Sequence, residues 1–424
     1  MFSGFGFIEG TSTEYEWILN CLKEKCEEFR ELIKSNQIRS IDANDISGGK
    51  GFISKVYKVD ITFDHFDTKP FEFIVKIPGL ESLNQVLEEE HFPKHHEPNK
   101  EQENNGMQLL ANIHNNEVKF YQLYSTIPNL KLLKVYGSRQ WVINKQEGAL
   151  IMAYSGQESF SIPLHESMNF EQMSHLIDQI FCLQTYFLLL PDQTWKETFV
   201  FPFSPDHLDG MTKLIQHNWN IVKNFVNEEV YVDISDHIDN LISNFKNICT
   251  YNTNILINKP HNTKVFVHGD LYMNNILYGK FGNDQQEEND LRIVDWQLVH
   301  AGNIGSDIAR SLLTGTSPQL RHKMEESILP KFYHNIVLKA TAHQVKFEMS
   351  WEMFKENYNC HFVEQSLHFL MVVAFTMHQI NTSKDSQQLL EIKKKAVGMK
   401  LCTGLRDAIA ICKKFNQTWI SDQH

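Results

Sequence analysis

The sequence lacks three things that would narrow its role at once: a cysteine pair in CxxC spacing, an apolar run long enough to cross a bilayer, and a surplus of positive charge. Its seven cysteines, Cys21, Cys26, Cys182, Cys249, Cys360, Cys402 and Cys412, are scattered and odd in number, so neither a disulfide framework nor a zinc site is suggested. A reducing, cytoplasmic compartment fits that usage best. The longest apolar stretches, Ala149 to Tyr154 and Phe187 to Leu190, are far shorter than the roughly 20 residues a membrane helix needs, so no span is expected. The first residues, MFSGFGFIEGTSTEYEW, have no basic start followed by an apolar block and a small-residue cleavage site, so no secretory signal is expected. With 40 Lys and Arg against 52 Asp and Glu, the formal net charge of -12 argues against a nucleic-acid partner. No internal repeat is present, and no feature calls for an obligatory protein partner.

What is present is an ordinary globular composition, 42% hydrophobic and 22% charged, spread over 424 residues. That length exceeds what one core usually supports, so two lobes flanking a cleft are expected. Residues 11–36 read as an N-terminal helix with Trp17, Cys21, Phe29, Leu32 and Ile33 on one face and Thr11 and Ser12 available as caps. From Ile46 to Ile77 the pattern turns to short β-type runs, read as successive antiparallel strands. Residues 81–106 are polar and contain two prolines; His91, His95 and His96 within them read as a solvated loop rather than a metal cluster. A helix from Met107 to Ser125 and strands at Leu132–Tyr136, Trp141–Ile143 and Ala149–Met152 complete a small lobe. Beyond Gln157 helices are expected at 169–190, 207–227, 233–248, 318–340, 360–382 and 385–414, with two short strands between 265 and 298. The organisation is therefore α+β: a helical segment at 1–44, a β-rich lobe at 45–156 and a helical lobe at 157–424.

The chemistry is concentrated in VFVHGDLYMNNILY at 265–278, where an apolar strand runs into His268, Gly269 and Asp270, and Asn275 lies five residues after the aspartate. This is the spacing of a kinase catalytic loop: the acid accepts the proton of an attacking hydroxyl, and the amide oxygen binds a magnesium ion. Spacing favours Asn275 over the adjacent Asn274 as that ligand. A second strand, LRIVDWQLVHAG at 291–302, delivers Asp295 as the metal acid. Upstream, SGGKGFISKVYKV at 47–59 supplies Gly48, Gly49 and Gly51, which would let a hairpin approach nucleotide phosphates closely. Lys76, in FIVKI, stands where a phosphate-pairing lysine belongs, and Glu117 on the following helix is its expected ion-pair partner. Order and spacing carry the reading, since each residue alone has an ordinary solvated alternative.

HGDLYMNNIL followed by IVDWQ and GSDIAR resembles the aminoglycoside phosphotransferase and choline kinase-like group. More narrowly, the run GGKGFISKVYKV, FIVKIPG, HNNEVKFY, VHGDLYMNNILY and VDWQLVHAGNIGSDIAR resembles the CHK kinase-like proteins, a family expanded in nematodes and insects that includes relatives of ecdysteroid kinases. The resemblance spans residues 45–400. It implies a protein-kinase-like fold, with a small antiparallel β-sheet N-lobe and a mostly helical C-lobe, and ATP and Mg²⁺ as cofactors. It also implies transfer of phosphate to the hydroxyl of a small molecule. On that resemblance Asp270 is the catalytic base, Asn275 and Asp295 the magnesium ligands, Lys76 the phosphate contact and Glu117 its partner. His268 braces the catalytic loop, Asp307 and Arg310 match a supporting DxxR element, and Asp307 could equally cap a helix. Trp296 and Gln297 replace the Phe and Gly of protein kinases, and Trp296 reads as packing. At the hinge, Ala153 and Tyr154 replace the acidic residue common in relatives. Backbone groups from Ala153 to Ser155 remain able to meet an adenine edge, with Met152 behind that pocket.

The short interval from Asp295 to GSDIARSL leaves no room for a peptide platform, which favours a small-molecule acceptor. Trp351, Phe354, Tyr358, Phe362, Phe369 and Phe375 read as core aromatics rather than an acceptor pocket. Two other readings stay open: a pseudokinase that binds nucleotide without turnover, and a metal-dependent phosphoesterase, which would need more His and Asp ligands.

Overall fold

Two strands show how the sequence builds its first lobe. In Ser54–Phe63 (β2) and Phe71–Pro78 (β3), buried residues alternate with half-exposed ones, so Tyr57, Val59, Ile61, Phe71, Phe73 and Val75 enter one core. Lys76 then falls on the opposite face, because successive side chains of a strand point to opposite sides. The computed structural model describes residues 6–47, 54–65, 67–79, 100–156, 158–279 and 290–421. Gly48, Gly49 and Gly51 lie outside these residues, as do His91, His95 and His96.

β2 and β3 belong to a five-stranded antiparallel sheet with Ile38–Asp45 (β1), Val135–Arg139 (β4) and Ala149–Ala153 (β5), in the order β1-β2-β3-β5-β4. Helices Tyr15–Lys25 (α1) and Glu27–Ser35 (α2) cover its inner face with Ile18, Leu19, Leu22 and Phe29. The approach is closest at Gly137 on β4, where a Cβ would stand 2.9 Å from Cys21 Sγ and 2.8 Å from Ile151 Cδ1. A side chain there would separate helix from sheet.

Lys100–Tyr124 (α3) crosses from the sheet to the second lobe. Its Phe120 stacks on Trp296 with ring centroids 4.4 Å apart, inside the larger core in which Phe187 and Phe266 stack at 3.8 Å. That lobe contains Phe170–Leu189 (α4), Pro205–Val222 (α5), Ser235–Ser243 (α6), Phe245–Thr250 (α7), Ser306–Gly315 (α8), Pro318–Ala342 (α9), Trp351–Thr382 (α10) and Gln387–Phe415 (α11). Two antiparallel ribbons carry its loops: Lys264–Val267 (β6) pairs with His300–Asn303 (β9), and Ile276–Gly279 (β7) pairs with Asp290–Ile293 (β8). The protein thus has a two-lobed α+β fold, with an antiparallel sheet in the small lobe and mostly helices in the large one. The 32-residue α10 is long and apolar enough to cross a membrane, yet 72% of its apolar window is buried in the fold.

Several elements differ from expectation. The helix read over 11–36 breaks at Cys26, whose φ of −111° and ψ of 108° are extended. Its caps are not Thr11 and Ser12: Thr11 Oγ1 donates to Ile8 O and Ser12 binds Glu147. β1 was unexpected because IRSIDAND is polar; it gains order as an edge by pairing Ile41 with Ile61 and Ala43 with Val59. Residues 141–143 form no strand but part of a turn closed between Val142 and Gln146. α3 starts at Lys100, inside the stretch read as loop. α10 starts at Trp351, capped by Ser350 Oγ accepting from the Met353 amide at 3.1 Å. The span 233–248 divides at Asn244, and the segment around 265–298 holds parts of two ribbons rather than two lone strands.

Candidate active site

β6 ends at Val267 and the chain turns sharply through His268, Gly269 and Asp270. Gly269 has a φ of +82°, and a Cβ on it would lie 2.3 Å from Leu298 O, so this turn admits no side chain. Asp307, in the first turn of α8, fixes the turn from behind: its carboxylate accepts the His268 amide at 2.7 Å and the Gly269 amide at 3.0 Å. It therefore holds the His268–Asp270 turn rather than capping its own helix. Burial pushes its carboxyl up to about 6, against the two amide hydrogen bonds and Arg310.

His268 is fully buried, and burial lowers it to about 4, so the ring is neutral near pH 7. Its Nε2–H donates to Val294 O at 3.0 Å, tying the turn to the strand that leads into Asp295, and Nδ1 accepts the Asp270 amide at 3.3 Å. Asn275 donates through Nδ2 to the Asp270 carbonyl at 2.8 Å and to Asp270 Oδ2 at 3.2 Å. That orientation leaves Asn275 Oδ1 as its remaining lone-pair donor. The other oxygen of Asp270 pairs with Arg310, which also donates to Gln365 Oε1 at 2.8 Å and lies over the Tyr272 ring at 5.3 Å. Burial raises the Asp270 carboxyl; Arg310 opposes this and Asp295 adds to it.

Asp295 adopts a left-handed conformation, φ 69° and ψ 58°, at the end of the strand segment. Lys76 contacts it and also donates to Glu117 Oε2 at 2.7 Å, so one ammonium spans sheet, α3 and the Asp295 loop. Burial alone would lower Lys76, but the two carboxylates more than reverse that and hold it above its usual value. Glu117 shifts upward, with burial outweighing Lys76. α3 grips the loop further: Glu117 Oε1 accepts the Trp296 amide at 3.1 Å, and Asn116 Nδ2 donates to Val299 O at 2.7 Å. The Glu117 side chain is 1% exposed, against 26% for Asp295 and 18% for Asp270, so the two aspartates are the carboxylates open to an incoming group.

At the hinge Met152 is buried at the end of β5, and the Ala153 amide donates to Lys134 O at 2.8 Å. Ser155 Oγ pairs with Ser159 Oγ at 2.6 Å. Lys76, Glu117, Asp270, Asn275, Asp295, His268, Asp307 and Arg310 are thus brought to one cleft. Asn116, Tyr272 and Gln365 were missed: they act through other residues, and no spacing marks them.

Residues 15–413 match a family described as "Uncharacterized oxidoreductase dhs-27". The chain belongs to this family, DUF1679. A DUF1679 relative in Caenorhabditis elegans, named uncharacterized oxidoreductase dhs-27, is 26% identical over 362 residues, covering 83% of this chain and 41% of the relative. The chain therefore spans less than half the length of that protein. Among solved structures, a Ralstonia eutropha protein assigned to the aminoglycoside phosphotransferases is 11% identical, with a TM-score of 0.44 and coverage of 95% of this chain and 98% of that one. An aminoglycoside 2″-phosphotransferase in complex with GDP and kanamycin is 12% identical, with a TM-score of 0.43 and coverage of 89% and 98%.

Proposed function

We propose that this chain is an ATP- and Mg²⁺-dependent phosphotransferase that moves a γ-phosphoryl group to a hydroxyl of a small molecule. The observation that carries the reading is the convergence of Lys76, paired with Glu117, on Asp295, beside the Asp270–Asn275 loop. Phosphoryl transfer asks a protein mainly for positioning and for charge placed against the phosphates, and this set of groups supplies both. The donor set fits a magnesium ion: the Asp295 carboxylate and Asn275 Oδ1 are oxygen ligands, few in number, as magnesium favours. When bound, the ion neutralises charge on the phosphate oxygens.

The protein's own groups have distinct tasks. Lys76 pairs a phosphate while Glu117 keeps hold of it. Asp270 orients the acceptor hydroxyl and takes its proton on a carboxylate oxygen. Its raised carboxyl makes it a better base than an ordinary aspartate, while the Arg310 cation opposes that rise and favours the charged form. Asp307 and His268 fix the turn from which Asp270 projects. The acceptor is proposed to be a sterol-like, choline-like or other alcohol, in line with the CHK kinase-like resemblance, and the compartment to be cytoplasmic, in line with seven unpaired cysteines. The oxidoreductase named for the longer relative gains no support from this fold. Within the three described sheets every strand pair is antiparallel, whereas a dinucleotide-binding sheet is parallel.

The test is transfer of labelled γ-phosphate from ATP to a panel of hydroxylated metabolites, sterols and choline-like amines, with and without magnesium. Label in one acceptor class, absent with Asp270→Ala, is the expected result. Tight ATP binding with no transfer to any acceptor would favour a nucleotide-binding pseudokinase.

A further inference from the structure

Three ligand-type side chains meet in the core of the helical lobe, two of them on the same helix as Gln365, the partner of Arg310. Cys249 in α7, with Glu364 and His368 in α10, bring one ligand atom each to within 4.8 Å of one another. Glu364 and His368 are four residues apart, so they share one helix face. Cys249 is 0% exposed and Glu364 4%. α7 runs directly into a five-residue π-helical turn, Tyr251–Ile255, a rare form that recurs at functional sites.

That turn carries Asn252, which is fully buried and donates from Nδ2 to Glu364 Oε2 at 2.5 Å. The amide of Asn303 is oriented by its bond to Asn252 O at 2.9 Å, and it also lies 2.9 Å from His361 Nε2. Nε2 must therefore accept, which puts the ring proton of His361 on Nδ1. Nδ1 sits 3.3 Å from Glu364 Oε2 without closing a hydrogen bond, and Asn252 Oδ1 is also buried without a partner. The other carboxylate oxygen, Oε1, is 3.6 Å from His368 Nε2. That is too long for a hydrogen bond but close to the separation of two donors each about 2.0–2.1 Å from a shared ion.

We propose that Cys249, Glu364 and His368 form a binding site for a Zn²⁺-class divalent cation, with a fourth position left for water. Sulfur, oxygen and imidazole together suit zinc rather than magnesium. Asn252 and His361 act behind Glu364, setting its orientation as partners of metal ligands do. A plain buried ion pair between Glu364 and His368 leaves the 3.6 Å gap between them unexplained.

The full chain, stripped with chelator and reloaded, tests the site without any use of phosphoryl transfer. Zinc should bind at one equivalent per chain and raise the melting temperature. Cobalt in its place should give a thiolate-to-cobalt charge-transfer band in the near ultraviolet, and Cys249→Ala should remove it. His368→Gln, at the more exposed rim, keeps volume and guards against misfolding at Cys249; it should abolish the zinc-dependent rise in melting temperature. Asn252→Ala should weaken zinc affinity by roughly 10–100-fold. Absence of the cobalt band in folded wild-type protein, or equal zinc binding and stabilisation in folded Cys249→Ala and His368→Gln, would overturn the proposal.

Discussion

The cleft and the helical core each bury acids, but they compensate them differently. In the cleft Lys76 contacts Glu117 and Asp295 and Arg310 contacts Asp270, while Asp307 is held by two backbone amides. In the core, Glu364 receives an amide proton from Asn252 and faces imidazoles at 3.3 and 3.6 Å. The cleft is therefore balanced by the protein alone, and a substrate entering it exchanges partners that already exist. The core cluster gathers a thiol, a carboxylate and an imidazole within 4.8 Å, with imidazoles rather than Lys or Arg facing Glu364 among the described residues, which is the reason to look for an ion there rather than for catalysis.

That comparison can be broken in order of expected effect. Asp270→Ala should lower turnover by roughly 10²–10⁴-fold, the usual worth of a general base, while ATP affinity measured by calorimetry stays near wild type. Lys76→Met leaves Glu117 buried without its cation. It should cost about 3–5 kcal/mol in urea unfolding, and less at lower pH, where the raised Glu117 carboxyl takes up a proton. Asp307→Ala orphans the His268 and Gly269 amides at roughly 1–3 kcal/mol each. It also removes a pH term: burial raises Asp307 from 3.8 to about 6, so its contribution is complete below 3.8 and is lost as pH rises through about 6. Unfolding midpoints across that range should lose this component in the variant. Arg310→Gln has the smallest expected effect. Without the cation opposing its protonation, Asp270 should titrate at higher pH, moving the acid limb of the kcat/KM profile upward.

The same comparison explains what the sequence made legible. Asp270 and Asn275 are five residues apart in one loop, and Asp295 ends a short apolar strand, so their grouping is written in local spacing. Lys76 was readable because it follows an apolar strand run in FIVKI and precedes the helix that carries Glu117. Cys249, Glu364 and His368 come from helices more than 100 residues apart, and the nearer pair is spaced like many helix-face neighbours, so a search for short ligand spacings passed over them. The role of Asp307 was open between cap and brace for a related reason: its partners are the His268 and Gly269 amides, and only the fold brings those to α8. β1 escaped because an edge strand needs only one paired side and tolerates a polar sequence.

The most direct test of the central claim is an ATP titration of wild-type protein and Asp295→Ala, each with magnesium and with chelator. The account predicts that magnesium strengthens binding to wild type and has no effect on the variant. Failure of wild type to bind ATP, or the same magnesium dependence in both proteins, would contradict it.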